Sequence, residues 1–354
     1  MQKIPNITSL RFFLAVLVMI YHIPQFFHNR GLPFFNDLAI FHKGTEAVYM
    51  FFSLSGFLII KQLFLEKEIN SKIDLKKFYI RRALRILPLY YLIALIGILY
   101  YNFFLPNIGV EMPRTYDLID GIILLLVFLP NVLHLSNPGG VLEILWSIGI
   151  EEQFYLLIAP VIALIPSQKT IFFLFVFSFI FIFLYHSSLF SFLMKYKVMF
   201  FYFSFAGFCS FLKVRKSKFS EAFSFITYLF VVLYFTTNIF VETLSQFQYN
   251  LFSMTLFGFF LHSFTQTIFT FFQNKSLVYL GRISYGIYMY HSIVMQLVGF
   301  LFLNFFSKYN LNSLETIITS FLLVIIITLL VSHFSYRFYE KKFLNLKRDY
   351  RVLK

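Results

Sequence analysis

Eleven apolar runs of spanning or near-spanning length dominate this chain, at about 7–27, 44–64, 86–105, 119–135, 143–165, 169–186, 197–212, 220–241, 249–272, 282–303 and 314–336. One helical crossing of a bilayer core takes about 20 apolar residues. Lipid offers no partner to an unpaired backbone group, so such runs fold as helices. Only 13% of the 354 residues are charged, about half the share found in soluble domains. The expected fold is all-α: one polytopic transmembrane helix bundle over residues 1–354, with no appended soluble domain. Ile7–Phe27 lacks a short apolar core followed by a small-residue cleavage site, so it reads as a retained first span rather than a signal peptide.

The loops fix the count. Lys61–Leu87 holds Lys61, Lys67, Lys72, Lys76, Lys77, Arg81, Arg82 and Arg85, and basic loops collect in the cytoplasm. If all eleven runs crossed, the basic loop Lys213–Lys218 and the tail Lys341–Lys354 would fall outside. One non-crossing run before residue 213 returns both to the cytoplasm. The run 119–135 is the one expected to fail or to re-enter, because its apolar core Ile122–Leu129 is short and ends in Pro130-Asn131, a helix-stopping pair. Ten crossings with both termini cytoplasmic are expected.

The formal net charge is +14. It is scattered between apolar spans with no continuous basic face, which argues against nucleic-acid binding. The single Cys209 sits in an apolar run, so neither a disulfide framework nor a thiolate cluster is available. No metal-ligand spacing and no phosphate-binding glycine loop occurs, and no metal is expected.

Within the first run, Arg11 and His22 are eleven residues apart, nearly three helical turns and about 16 Å. Both point the same way from one buried helix. An ionisable group at membrane depth is costly and faces a bundle interior or a watered cavity; the alternative is an arginine that snorkels to the interface and a histidine bonded to a neighbouring helix. Four further stretches carry polar groups. In Gly44–Ile60, Ser53, Ser55 and Gly56 read as a close-packing seam, with Glu46 near the outer end. In Phe78–Tyr91, Arg81, Arg82 and Arg85 cover one flank of a helix before Pro88. Their guanidinium forks suit phosphates or anchor to anionic lipid.

In Trp146–Tyr155, Ser147, Glu151 and Tyr155 share a face. Glu152 points about 100° away, as a packing, ion-pair or substrate contact. In Leu280–Val294, Ser284, Tyr288 and His291 form a polar stripe, either a seam between helices or a contact for substrate. Near the end, Arg337 and Glu340 are spaced for a structural ion pair. His28, His42, His134, His186, His262 and His333 are isolated and receive no role.

Taken in order, these stretches resemble the acyltransferase 3 family of bacterial integral-membrane O-acyltransferases. The resemblance runs through Arg11 and His22, EAVYMFFSLSGFLI from Glu46, FYIRRALRILP from Phe78, WSIGIEEQFYL from Trp146, LGRISYGIYMYH from Leu280 and SYRFYEKKF from Ser335. Tyr49 departs from it, since many members carry an acidic residue in a GVDLFF version of the second motif. The extracytoplasmic hydrolase-like domain of some relatives is also missing, so transfer is expected within the bundle.

The resemblance implies transfer of an acyl group, most often acetyl from acetyl-CoA, to a hydroxyl of a cell-surface polysaccharide or its lipid-linked precursor, at the bacterial cytoplasmic (inner) membrane. By position it makes His22 and Arg11 the essential pair and Arg81, Arg82 and Arg85 the donor-binding group. Histidine is the usual base near neutral pH. Glu151 is expected to fix the tautomer of His22 or to act as a base itself. Direct transfer is favoured over a covalent acyl-enzyme. The competing class is a transporter that moves a lipid-linked glycan or anion without consuming acyl-CoA.

Overall fold

A computed structural model describes residues 4–110, 115–213, 217–309 and 311–350. Parts of the basic loop Lys213–Lys218 and the tail after Tyr350 lie outside the described residues. No strand occurs among those described. The longer helices are α1 Ile7–His28, α2 Gly44–Asn70, α3 Leu75–Leu99, α4 Leu118–Leu126, α5 Trp146–Leu164, α6 Ser167–His186, α7 Phe200–Cys209, α8 Lys218–Thr236, α9 Gln246–Gln266, α10 Lys275–Arg282, α11 Ser284–Asn304, α12 Ser313–Ser335 and α13 Lys341–Leu346.

Among the described residues eight helices are long and apolar enough to cross a bilayer. The pair Ser188–Lys195 and Phe200–Cys209, bent by 86°, forms either a broken ninth span or a re-entrant loop. Helix α9 falls outside that set. It has 21 residues but a more polar composition, and it runs alongside α7 in the same direction: Ser253 meets Tyr202 near its start, and His262 bonds the Cys209 carbonyl near its end. The protein is a multi-pass membrane protein of all-α architecture.

Two elements depart from a simple crossing. Nine residues of α4 reach only about 13 Å, too short to cross. The chain then turns through Phe128 at φ 60° into the short helix Pro130–Leu133. Broken backbone at membrane depth survives only where protein satisfies it. Gln153 does so, donating to the Phe128 carbonyl and to Asn131 Oδ1, both at 2.8 Å. The expectation for 119–135 holds.

The other departure is α7, a ten-residue helix buried at every position except Phe208. It reaches such depth because Gly56 of α2 leaves its side free for α7: a Cβ there would lie 2.0 Å from the Phe203 carbonyl oxygen. Gly56→Ala is therefore expected to destabilise the protein by about 1–3 kcal/mol, the usual cost of overpacking. Ser53→Ala, which removes a buried hydroxyl with no partner, should leave stability unchanged or raised. Thermal unfolding in detergent distinguishes the two.

Contacts group the ends of the helices. At one end Asn6 bonds the carbonyls of Phe264 and Thr267, and Arg81 bonds the carbonyl of Tyr350. This "Arg11 end" therefore carries the start of α1, the basic loop and the C-terminal turn Lys347–Tyr350. At the other, "His28 end", Arg30 bonds Gln296 and Tyr249 donates to Glu46. The start of α1 and the turn Lys347–Tyr350 thus lie with the basic loop.

The ion pair expected between Arg337 and Glu340 does not form. Tyr336–Glu340 is a π-helical turn, which widens the register. Glu340 accepts instead from Ser335 at 3.1 Å, and exposed Arg337 lies 5.5 Å from the Phe338 ring.

Candidate active site

A cavity of ≈ 280 Å³ opens among α1, α2, α3, α5, α11 and the C-terminal turn, at the lower edge of the volumes that hold small ligands. Cations line its Arg11 end: Arg11, Arg82, Arg85 and Lys347. Only two ion pairs form among the described residues, Lys77–Asp74 and Arg81–Glu66. None of the four cations of the cavity is directly paired with a carboxylate.

Arg82 reaches Gln62 at 3.5 Å and lies 5.6 Å from the Tyr155 ring. Its neighbour Arg81 behaves differently. It is buried in a pair with Glu66 at 3.1 Å and donates to the Tyr350 carbonyl at 2.9 Å. Glu66 in turn accepts from the Asp74 amide at 2.8 Å, tying α2 to the start of α3. Arg81 does not line the cavity, and its expected place among the donor-binding arginines is corrected to an architectural one. One residue of helix turns it about 100° from Arg82.

Deeper in, Glu151 is the carboxylate of the cavity. Its Oε1 accepts from the Ser55 hydroxyl at 2.6 Å and from the Tyr155 hydroxyl. The shared face of Ser147, Glu151 and Tyr155 is borne out, since all three line the cavity. Glu152 is not with them; it is buried outside the cavity, and one oxygen lacks a partner. Its expected contact with substrate is corrected accordingly. Ser55 was masked in the sequence by its setting among small residues. Nothing in its spacing ties it to Glu151, 96 residues later.

The stripe on α11 joins the cavity to the histidines. Ser284 and Tyr288 line the wall. The Tyr288 hydroxyl donates to the Ile144 carbonyl at 2.9 Å and meets Ser147 Oγ at 2.7 Å. The Tyr288 backbone carbonyl lies 2.5 Å from His291 Nδ1, and His291 Nε2 lies 3.3 Å from His22 Nδ1. His22 Nδ1 is also 3.0 Å from the Val18 carbonyl.

A carbonyl only accepts, so each Nδ1 beside one carries its proton. His291 Nε2 then presents a lone pair to the His22 Nδ1–H, and His22 Nε2 is left unprotonated. Glu151 makes no contact with His22, which corrects its expected role in setting the tautomer: Val18 and His291 do that. His22 and His291 lie behind Tyr288 rather than in the cavity wall. Arg11 and His22 of α1 nonetheless both face the side of α11, as their spacing required.

The remaining histidines have structural partners. Lys197 meets His134 at 2.8 Å, Asn250 meets His186 at 3.1 Å, and Tyr279 meets His333 at 2.8 Å. Trp146 is buried, with Lys197 4.7 Å from its ring.

The polytopic bundle thus holds a cationic cavity with a histidine pair behind its wall. The acyltransferase domain model of the acyltransferase 3 family matches residues 4–337. The chain belongs to that family.

It is 32% identical over 162 residues to peptidoglycan O-acetyltransferase OatA of Listeria monocytogenes, covering 44% of this chain and 24% of that one. It is 30% identical over 169 residues to O-acetyltransferase OatA of Staphylococcus aureus, covering 46% and 25%. A putative acetyltransferase, ORF330, of Acidianus two-tailed virus is 29% identical over 312 residues, covering 83% and 84%. The match thus spans about a quarter of the length of the two OatA relatives. No solved structure matches.

Proposed function

We propose that the protein transfers an acyl group, acetyl in the first instance, from acetyl-CoA to a hydroxyl of a cell-surface polysaccharide or its lipid-linked precursor. The names of the two OatA relatives support acetyl as the group, and that of the Listeria relative supports peptidoglycan as one such acceptor. The observation that carries the reading is the tandem arrangement along α1 and α11. Unpaired cations line one end of a cavity, Tyr288 stands at its inner wall, and a histidine with a free Nε2 lies just behind.

The Arg11 end faces the cytoplasm, as the basic loop requires. Arg82 and Arg85 hold the phosphates of the donor there, and Glu151 limits their repulsion while positioning Ser55 and Tyr155. The thioester arm runs past Glu151 toward Tyr288. The acceptor hydroxyl approaches from the His28 end and gives its proton to His22 Nε2. Its oxygen attacks the thioester carbonyl, the C–S bond breaks, and coenzyme A leaves as a thiolate that takes up a proton. His291 Nε2 accepts from the resulting imidazolium and stabilises it. Arg11 of α1 steadies the donor or the developing oxyanion. Ser284 and Tyr288 shape the passage between the two substrates.

The test is reconstitution of the protein in vesicles with acetyl-labelled acetyl-CoA and candidate glycans. Alkali-labile label on a glycan is the expected result. Flux of glycan across the vesicle with no label transferred would overturn the reading in favour of transport.

A further inference from the structure

We propose that the C-terminal turn Lys347–Tyr350 is a strap over the mouth of the cationic cavity, and that Lys347 contacts the phosphates of the donor as part of the site. The proposal rests on the donor reading above. Lys347 lines the same cavity as Arg11, Arg82 and Arg85 although it is far from them in the chain. Two bonds hold the strap on α3. Arg81, itself fixed by Glu66, donates to the Tyr350 carbonyl at 2.9 Å. Upstream, Tyr339 donates to the Pro88 carbonyl at 2.9 Å. Arg81 thus leaves the anion site in order to dock the element that supplies its replacement, Lys347.

Like charges drawn together in a partly buried space repel strongly. Arg11 faces Lys347 from α1, and Arg81, Arg82 and Arg85 face it from α3. Glu151 and Tyr155 of α5 and Tyr285 of α11 share its cavity, and Glu151 is the one carboxylate there among the described residues. Burial first, then these four arginines, push the Lys347 ammonium down to about 6. Near neutral pH this environment favours the free amine of Lys347.

A bound polyphosphate reverses the local potential, restores the ammonium and draws one proton from solution. The sign follows from linkage: binding that takes up a proton weakens as pH rises from about 6 toward the amine's pKa in the complex. An ordinary lysine, protonated in both states, imposes no such slope.

Calorimetric titration of the full-length protein in nanodiscs with coenzyme A, at pH 7.5 in two buffers of different ionisation enthalpy, reads the uptake directly. The wild type should take up a large fraction of one proton per coenzyme A bound. Lys347→Gln should lose that uptake and bind about tenfold or more weakly, the loss of one charge-assisted contact. Lys347→Arg stays charged at any accessible pH, so it should restore affinity without restoring uptake. Wild-type affinity and wild-type uptake in Lys347→Gln would overturn the strap while leaving the donor reading intact. A wild type that binds no coenzyme A would overturn the donor reading itself.

Discussion

His22→Ala should abolish acyl transfer while leaving the protein folded and its donor binding unchanged. General-base catalysis contributes about 10²–10⁴-fold. His291 offers its Nε2 to His22, not to the acceptor. His291→Ala is accordingly expected to slow transfer less than His22→Ala does, because the base remains and only the support of its imidazolium is lost. Turnover of labelled acetyl-CoA in vesicles, with coenzyme A affinity measured on the same samples, checks both. Normal turnover by folded His22→Ala would remove the histidine from the mechanism.

The second large effect separates two adjacent arginines. Arg82→Ala and Arg85→Ala should each weaken donor binding by about 10–100-fold, the value of a charge-assisted contact to phosphate. The loss should be smaller at high ionic strength, which screens the wild-type site. Arg81→Ala should instead destabilise the protein by about 3–5 kcal/mol, because it leaves the Glu66 carboxylate buried and unpaired. Its donor affinity should fall only as far as the C-terminal turn is released. Unfolding temperature and coenzyme A affinity, measured side by side for the three variants, give opposite rankings if this division holds.

Much of the site is legible in the chain because a helix converts sequence spacing into direction. Ser147, Glu151 and Tyr155 recur at the helical period and reach the cavity together. The same rule predicts that Glu152 turns away, and it does. Arg81 and Arg82 show where the rule stops. Periodicity says that they diverge, but not which one faces the cavity; that depends on Glu66, a residue of another helix with no local mark of its role. Ser55 and Lys347 are hidden for the same reason. One sits in a seam of small residues and the other in a basic tail, and each acquires its chemistry from a partner remote in sequence.

The α7 segment was legible only in part. Its apolar run looks like an ordinary span, whereas the fold bends it by 86° after Lys195 and buries a ten-residue helix. That geometry depends on Gly56 accepting the backbone of Phe203.

By itself the sequence determined the solvent, the all-helical backbone and the polar faces, because lipid demands internal backbone pairing and the helical period is fixed. Only the tertiary structure decided which polar faces meet: Arg82 and Arg85 beside Lys347, Ser55 on Glu151, and His22 Nδ1 beside His291 Nε2. Those pairings depend on helix packing between residues far apart in the chain, and no local spacing encodes them.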